Sequence, residues 1–428
     1  FAKNGTWQNS GDPTSGSDGT GKANTSALKT LLLPALMIDP ANTIGVINFG
    51  QDSSFAGNKT AQGNQDGNAI GDFYYAPPSG FLALCTSNLP EPAVIPSENF
   101  NIITYTGDDQ TGKAISGVGF APDFLWFKER QGTAHHVLHD SVRGASGGRL
   151  SSNRTTAEDA SNSIASFDSD GFTVGASAAY INSNNATIVA WNWKANGSGS
   201  SNTDGSLNTV KTSANVDAGF SINTYTGTGS ATTIGHGLSK APELVITKSR
   251  SDAQQWGVQH KDLGGGKYLL LDTTGAVGTA SSLWNNTAPT SSVFTVGTTS
   301  TTNQSSEDMI AFCWHSVDGY SKVGSYVGNG NVDGTFVYTG FRPAYVLTKR
   351  TDSGDAWTIQ DTKRDIGNVM ETRLVANSSD GESTDRVFMD TLSNGFKLRT
   401  TDGQWNANNG NYVYYAVAET PFKYSNAR

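Results

Sequence analysis

The sequence predicts an all-β fold arranged as tandem β-sandwich domains. One observation is the composition: 49 of the 428 residues are glycine and only 16% are charged. Such a chain is poor in helix-forming residues and rich in turn-forming and β-branched residues, which favour hairpins. The second observation is an internal repeat of short β-branched and aromatic segments bounded by Gly, Asn, Asp and Pro, a pattern typical of strands. A helical bundle or a doubly wound α/β fold is not expected.

Charge and cysteine usage exclude several classes of protein. The formal net charge is −9, which argues against a nucleic-acid-binding protein that relies on a basic face. The longest apolar run, 31–37, is interrupted by Pro34 and is far shorter than the ~20 residues of a membrane span. Cys85 and Cys313 are too few and too far apart in sequence for a disulfide framework or a metal knuckle. We therefore expect no cofactor, no structural metal and no membrane insertion.

Four sequence elements recur in the same order in three units. The first three are a strand that ends in glycine, a proline-led strand that ends in lysine, and a Gly-Phe or Phe-Thr strand. The fourth is a closing strand rich in aromatic residues. The strand that ends in glycine lies at 100–107, 220–227 and 323–328, and the proline-led strand lies at 121–128, 241–248 and 342–349. The Gly-Phe or Phe-Thr strand lies at 171–175, 294–297 and 395–398, and the closing aromatic strand lies at 188–193, 310–314 and 412–417. Four ordered elements in three units indicate a repeated domain of about a hundred residues, the size of a β-sandwich.

The repeat sets the expected domain boundaries. A stretch rich in Gly and Ser at 197–201 predicts a linker or long loop between the first two units. The expected organisation is a separate module at 1–95, repeats at 98–197, 219–320 and 321–428, and a linker at 198–218.

The first module carries its own pattern, which resembles the C-terminal half of a SPRY domain. The pattern runs Asn-Gly-Thr-Trp at 4–7, Leu-Pro-Ala at 33–35, Val-Ile-Asn-Phe-Gly-Gln at 46–51, and then Phe55. This resemblance implies a partial concanavalin-like or jelly-roll β-sandwich used for binding, with its early strands upstream of Phe1.

Almost the whole chain resembles a type of bacteriophage virion protein found in marine phages. The resemblance rests on the segment 73–90 and on LHDSVRG at 138–144, AWNWKANG at 190–197 and AVAETPF at 416–422. In those proteins a SPRY-like module precedes repeated β domains, as in tail fibres and other structural components. The resemblance implies a location on the virion surface after assembly in the host cytoplasm. It also implies a homo-oligomer, with a trimer expected, bound to other virion proteins and to a host surface glycan or protein.

Three histidines form the most suggestive cluster for metal chemistry. His135, His136 and His139 lie close in sequence, but on a strand His136 and His139 point to opposite faces. His135 and His139 share a face, yet they are about 13 Å apart along it. The other repeats carry Trp256 and Trp357 in this stretch, and the histidines do not recur. We therefore favour structural or surface histidines over a metal site, which stays open as the alternative.

The tryptophans divide into two groups. Those in the repeated strands are expected in the cores, because a sandwich needs large side chains there: Trp126, Trp191, Trp193 and Trp314. Trp284 and Trp405 instead lie in stretches rich in Asn and Gly, beside Asn285 and Asn406. We expect these four residues to be exposed and to contact a glycan or protein, because aromatic faces stack on the apolar C–H groups of sugars.

No motif for catalysis stands out. We expect the adjacent carboxylates at 108–109 and 158–159 to be solvated loop residues and not a catalytic acid–base pair. We therefore predict a non-enzymatic structural and adhesive virion protein, a tail fibre, receptor-binding or surface decoration protein, that presents loops on rigid sandwiches. The alternative is a secreted or cell-surface carbohydrate-binding protein with an extracellular location. A glycan-cleaving enzyme, which needs two carboxylates across a groove, is a third and weaker reading.

Overall fold

A computed structural model describes residues 2–3, 6–7, 47–88, 93–176, 178–384 and 386–419. The fold is nearly all β, as predicted, and the three α-helices within the described residues have four residues each. None of the helices in these ranges is long and apolar enough to span a membrane. The chain divides into two compact units, Phe1–Glu91 and Pro92–Arg428.

The first unit has little regular structure in its described residues. Strands β1 (Ala2–Lys3) and β2 (Thr6–Trp7) pair antiparallel. Further on, a short 3-10 helix spans Thr86–Asn88. Asp66 organises this region: its carboxylate accepts hydrogen bonds from the backbone N–H groups of Asn68, Ile70 and Ala83. Residues 33–35, which carry part of the SPRY resemblance, lie outside the described residues, so that resemblance stays a prediction.

The first repeat is a two-layer sandwich. After a 3-10 turn at Pro96–Glu98, a four-stranded antiparallel sheet has the order β3-β9-β5-β6 and a three-stranded sheet has the order β4-β8-β7. Apolar side chains from both sheets form one core between them. The strands are β3 (Phe100–Thr106), β4 (Ala114–Ser116), β5 (Phe124–Glu129), β6 (Val137–Asp140), β7 (Ile164–Asp168), β8 (Gly171–Val174) and β9 (Thr187–Trp193).

The second repeat has the same plan with a wider main sheet, of order β10-β11-β12-β19-β14-β15-β16-β17 beside the pair β13-β18. Its strands are β10 (Ser200–Asn202), β11 (Val210–Asn215), β12 (Phe220–Thr226), β13 (Thr232–Gly235), β14 (Leu244–Ser249), β15 (Gly257–His260), β16 (Lys267–Leu270), β17 (Gly278–Thr279), β18 (Val293–Val296) and β19 (Asp308–Trp314). Its helices are a 3-10 turn at Lys261–Leu263, α1 (Ser281–Trp284) and α2 (Ser300–Asn303).

The second repeat corrects the expectation for 198–218. This segment is not a linker, because β11 pairs with β12 and β10 pairs with β11, so both strands extend the edge of the main sheet. Gly199 and Gly205 lie in the loops on either side of β10, whereas Ser200 and Ser201 belong to β10 itself. The Gly/Ser-rich composition misled because it is shared by flexible linkers and by tight hairpins.

The third repeat has a main sheet of order β20-β27-β22-β23-β24 and a small sheet of order β21-β26-β25. Its elements are β20 (Ser321–Val327), β21 (Phe336–Tyr338), β22 (Pro343–Arg350), β23 (Thr358–Asp361), β24 (Leu374–Val375), β25 (Met389–Leu392), β26 (Gly395–Leu398), α3 (Gly403–Asn406) and β27 (Asn411–Ala418).

The three repeats share one central core. Along β9, Ile188 and Ala190 face the small sheet of their own repeat, whereas Trp191 and Trp193 face a second cluster that includes residues of all three repeats. Burial on both faces explains why these strands read as nearly continuous apolar runs. The four tryptophans expected in the cores lie in this central cluster, which confirms that prediction.

Aromatic contacts join the repeats pairwise at the centre. The ring centroids of Phe124 and Phe312 are 4.4 Å apart, those of Trp314 and Tyr415 are 5.6 Å apart, and those of Trp193 and Tyr345 are 5.7 Å apart. Each main sheet therefore packs its inner face against the other two. The three sandwiches form a closed ring, and each small sheet lies on the side away from the centre.

Candidate functional site

The structure corrects the expectation that Trp284 and Trp405 are exposed. Both side chains are fully buried. Trp284 lies in the core of the second repeat, and the Trp405 ring packs on Phe388 with centroids 4.4 Å apart. Each tryptophan sits on a four-residue helix that turns the ring inward, and the neighbouring polar residues make the turns that flank this helix. Asn285, for example, ends α1 in the left-handed conformation at φ 49° and is itself exposed.

Asn406 is buried and holds a loop in place rather than contacting a ligand. Its Oδ1 accepts a hydrogen bond from the Asn329 backbone N–H, and its Nδ2 donates to the Asn331 and Thr400 carbonyls. Asn303 and Asn182 do the same in the other repeats, accepting from the backbone N–H groups of Thr228 and Asp108, each of which directly follows the glycine that ends the first repeated element. This repeated asparagine was missed at the sequence level, although its recurrence a few residues before each closing strand is a usable signal.

A tyrosine and a glycine complete the same device. The hydroxyls of Tyr105, Tyr225 and Tyr326 each donate to a backbone carbonyl one residue before the repeated asparagine, at 2.6, 2.6 and 3.0 Å. Two residues after each tyrosine comes a glycine, and a Cβ on Gly328 would lie 2.3 Å from the Ala407 carbonyl oxygen. The two chain segments approach too closely here for any residue but glycine, so the repeated tyrosine, glycine and asparagine maintain the fold.

His136 is held by protein groups, whereas both ring nitrogens of the buried His139 have no hydrogen-bond partner among the described residues. Trp126 Nε1 donates to His136 Nδ1, and His136 Nε2 lies 3.0 Å from the Val375 carbonyl of the third repeat. Burial, with the nearby Lys128 charge, lowers the pKa of His136 to about 3, and burial lowers the pKa of His139 to about 3 as well. Among the residues that the structure describes, no group of three or more His, Cys, Asp or Glu side chains could hold a metal ion.

His136 occupies the position that Trp256 and Trp357 hold in the other repeats. The Nε1 groups of those tryptophans donate to carbonyls of the neighbouring repeat, at Ser151 and Leu270 respectively. The histidine makes the equivalent contact across its own junction. Its smaller ring leaves space that is filled by Trp126, where the other repeats have Ile246 and Leu347 on the paired strand. The first repeat therefore has its tryptophan on the proline-led strand and a histidine next to it, where the other repeats have an aliphatic residue and a tryptophan. This swap explains why a histidine stands at position 136.

A chain of ion pairs crosses two of the three junctions. Arg143 contacts Asp140 at 2.5 Å and Glu158 at 3.4 Å, and Glu158 contacts Arg250 of the second repeat at 2.6 Å. Burial alone raises the pKa of Glu158, but the two guanidinium groups outweigh it and the net shift is downward. Glu158 was expected to be a solvated loop residue. Its side chain is only 15% exposed and joins two repeats instead.

The junction between the third and first repeats has the same arrangement. Arg364 contacts Asp361 at 2.6 Å and Glu382 at 3.2 Å, and Glu382 contacts Arg130 at 2.8 Å. At the remaining junction His260, Leu263, Val277 and Thr351 occupy the corresponding positions. Register supports this equivalence, because Glu158, Glu382 and Val277 donate their backbone N–H to Arg250, Arg130 and Thr351 respectively. That junction also borders a cleft of about 500 Å³.

Each junction also contains a buried lysine. Lys128, Lys248 and Lys349 end the proline-led strand of each repeat, and burial lowers the pKa of each to about 8. Their ammonium groups donate to backbone carbonyls at the end of their own strand. Lys248 and Lys349 also reach carbonyls of the neighbouring repeat, at Thr155 and Thr274. Each lysine therefore caps the end of its own strand, and Lys248 and Lys349 also link two repeats.

Exposed aromatic side chains occur on the small sheet of the third repeat. Phe336 and Tyr338 on the edge strand β21 are 43% and 64% exposed, while Val337 between them is buried. β26 presents Lys397 opposite Phe336 and Gly395 opposite Tyr338. A depression of about 350 Å³ is lined by Val332, Arg399 and residues 400–402, among others. Two exposed aromatic rings on one sheet make this face a candidate binding surface.

The fold therefore defines an all-β repeat protein in which three sandwiches surround one core. A family model described as a domain of unknown function (DUF7483) matches residues 95–421, which is more than half of the chain and spans all three repeats. The chain belongs to this family. A comparison with curated proteins finds no match.

Proposed function

We propose that this protein is a non-enzymatic structural and adhesive component of a bacteriophage virion. The observation that carries this proposal is the shared aromatic core, which fixes the three sandwiches in one ring. A ring joined by ion pairs and buried lysines resists local opening, and it holds its outer sheets and loops away from the centre. Rigid scaffolds that present surface loops are the usual setting for recognition.

The virion setting and the partners belong to the same proposal and rest on the sequence resemblance. We propose a tail fibre, receptor-binding or decoration protein on the virion surface, assembled in the host cytoplasm. Its partners would be further copies of itself, other virion proteins, and a glycan or protein of the host surface. The net charge of −9 favours partners other than nucleic acid.

A secreted carbohydrate-binding protein is the second candidate. The exposed pair Phe336 and Tyr338 favours it, because aromatic rings on a rigid sheet suit sugar binding in either setting. The two candidates differ in where the protein is found: attached to a virus particle, or free in solution outside the cell.

Cryo-electron microscopy of the native assembly that contains this chain tests the proposal. We expect an oligomer attached to a tail or capsid, with the small sheets pointing outward. Isolated monomers in the extracellular medium would overturn the virion proposal and favour the secreted alternative.

A further inference from the structure

The aromatic pair on β21 is not required by the fold. Phe336 and Tyr338 point to the same side of the strand, about 7 Å apart, because side chains two residues apart share a face. The register of β21 with β26 places Ala114 and Ser116 at the equivalent positions of the first repeat, and Thr233 with a glycine in the second. Both of those sandwiches form with small side chains there.

The polar residues around the pair are already neutralised. Lys397 lies opposite Phe336 and contacts Asp333 at 2.9 Å, and Arg399 contacts Asp390 at 3.5 Å. The hydrogen bond from Lys397 lowers the pKa of Asp333, so the carboxylate stays ionised at neutral pH. The two ion pairs therefore offer both donors and acceptors and carry no net charge between them. This combination suits hydroxyl groups, which both donate and accept.

The size of the face decides between classes of ligand. The small sheet has three strands of three or four residues, so it measures roughly 10 Å by 13 Å. A stable protein–protein interface needs about 800 Å² on each partner, several times this flat area. Burying the ion pairs against a protein would also cost desolvation, whereas sugar hydroxyls can replace the water that now solvates them.

We infer that this outer face of the third repeat binds a neutral oligosaccharide, with Phe336 and Tyr338 stacking on sugar rings. Lys397 and Asp333 would hydrogen bond the hydroxyls at the ring edges. A Cβ on Gly395 would lie 2.1 Å from the Val337 carbonyl oxygen, so the strand pairing itself requires glycine there, and the Phe336 ring lies 3.1 Å from the same point. The inference rests on the proposed adhesive function and names the ligand class of its recognition surface.

Isothermal titration calorimetry of the full chain tests this inference. The probes are maltohexaose, cellohexaose, mannohexaose and a galactohexaose, together with a sulfated galactan oligosaccharide. We expect at least one neutral probe to bind. The double variant Phe336→Ala/Tyr338→Ala is expected to lose at least tenfold in affinity for that probe, and Tyr338→Phe is expected to retain most of it.

Val216→Ala is the matched control, because this exposed apolar side chain lies in the second repeat and its loss should leave affinity unchanged. The double variant and Val216→Ala should both unfold at the same temperature as the wild-type protein. Binding of the sulfated probe alone, no binding of any neutral probe, or full binding by the double variant would overturn the inference. A changed oligomeric state in the double variant, with no loss of sugar affinity, would assign the face to a second copy and overturn it too. None of these results alters where the chain resides, which microscopy tests separately.

Discussion

Glu382 is the central residue of the ion chain between the third and first repeats, so its removal should destabilise the ring. Glu382 is 11% exposed and Arg364 is fully buried, while Arg130 is 25% exposed. Glu382→Val removes both hydrogen bonds to Arg130, each 2.8 Å, and the contact to Arg364 at 3.2 Å. Removing one partner of a buried ion pair costs 3–5 kcal/mol, and partial hydration of Arg130 favours the lower end, about 3 kcal/mol.

The third junction supplies the matched rescue. Transplanting its residues gives the fourfold variant Asp361→His, Arg364→Leu, Glu382→Val and Arg130→Thr. These residues correspond to His260, Leu263, Val277 and Thr351 at the junction between the second and third repeats. This exchange removes the whole ion cluster and leaves no buried charge without its partner, which is the main cost of removing Glu382 alone. We therefore expect the fourfold variant to be more stable than Glu382→Val alone.

Urea unfolding followed by tryptophan fluorescence measures both effects. Lys113→Ala, which breaks an exposed pair with Asp108, is the control and should cost less than about 1 kcal/mol. A cost for Glu382→Val no larger than that of the control would refute the idea that the ion chain holds this junction. A fourfold variant as unstable as the single variant would refute the equivalence of the junctions.

Two further predictions concern the buried histidines and the repeated glycine. Burial lowers the pKa of His136 and His139 to about 3 and that of His260 to about 4, so the unfolded chain binds more protons below pH 6.5. Stability should therefore fall by about 1.6 kcal/mol per histidine as the pH drops from 6.5 to 5. A flat profile of unfolding free energy between pH 5 and 6.5 would contradict this. Gly328→Ala should lower the free energy of unfolding, measured by thermal unfolding, by about 1–3 kcal/mol, because the new Cβ would lie 2.3 Å from a backbone atom. The control Gly354→Ala, whose Cβ has its nearest contact at 3.7 Å, should lower it far less. Equal losses for the two variants would refute the close chain crossing at Gly328.

The fold class and the repeat could be predicted from sequence because strands and turns have local signals. Trp191 and Trp193 were placed in a core, but a sequence does not reveal that the core belongs to three repeats at once. The exposure of Trp284 was predicted wrongly because neighbouring Asn and Gly residues indicate a turn, and a turn can bury its own tryptophan. Phe336 and Tyr338 escaped attention because an aromatic residue on a strand looks the same in sequence whether it points inward or outward.

The fusion of three sandwiches in one polypeptide has a consequence for valency. A homotrimer built from one sandwich would display every surface residue three times. In this ring each sandwich has its own sequence, so the aromatic pair of the third repeat occurs once per chain while the other two small sheets carry small residues. A single chain is then monovalent at this face. Strong attachment to a surface would depend on how many chains are displayed side by side, since avidity grows with the number of linked sites.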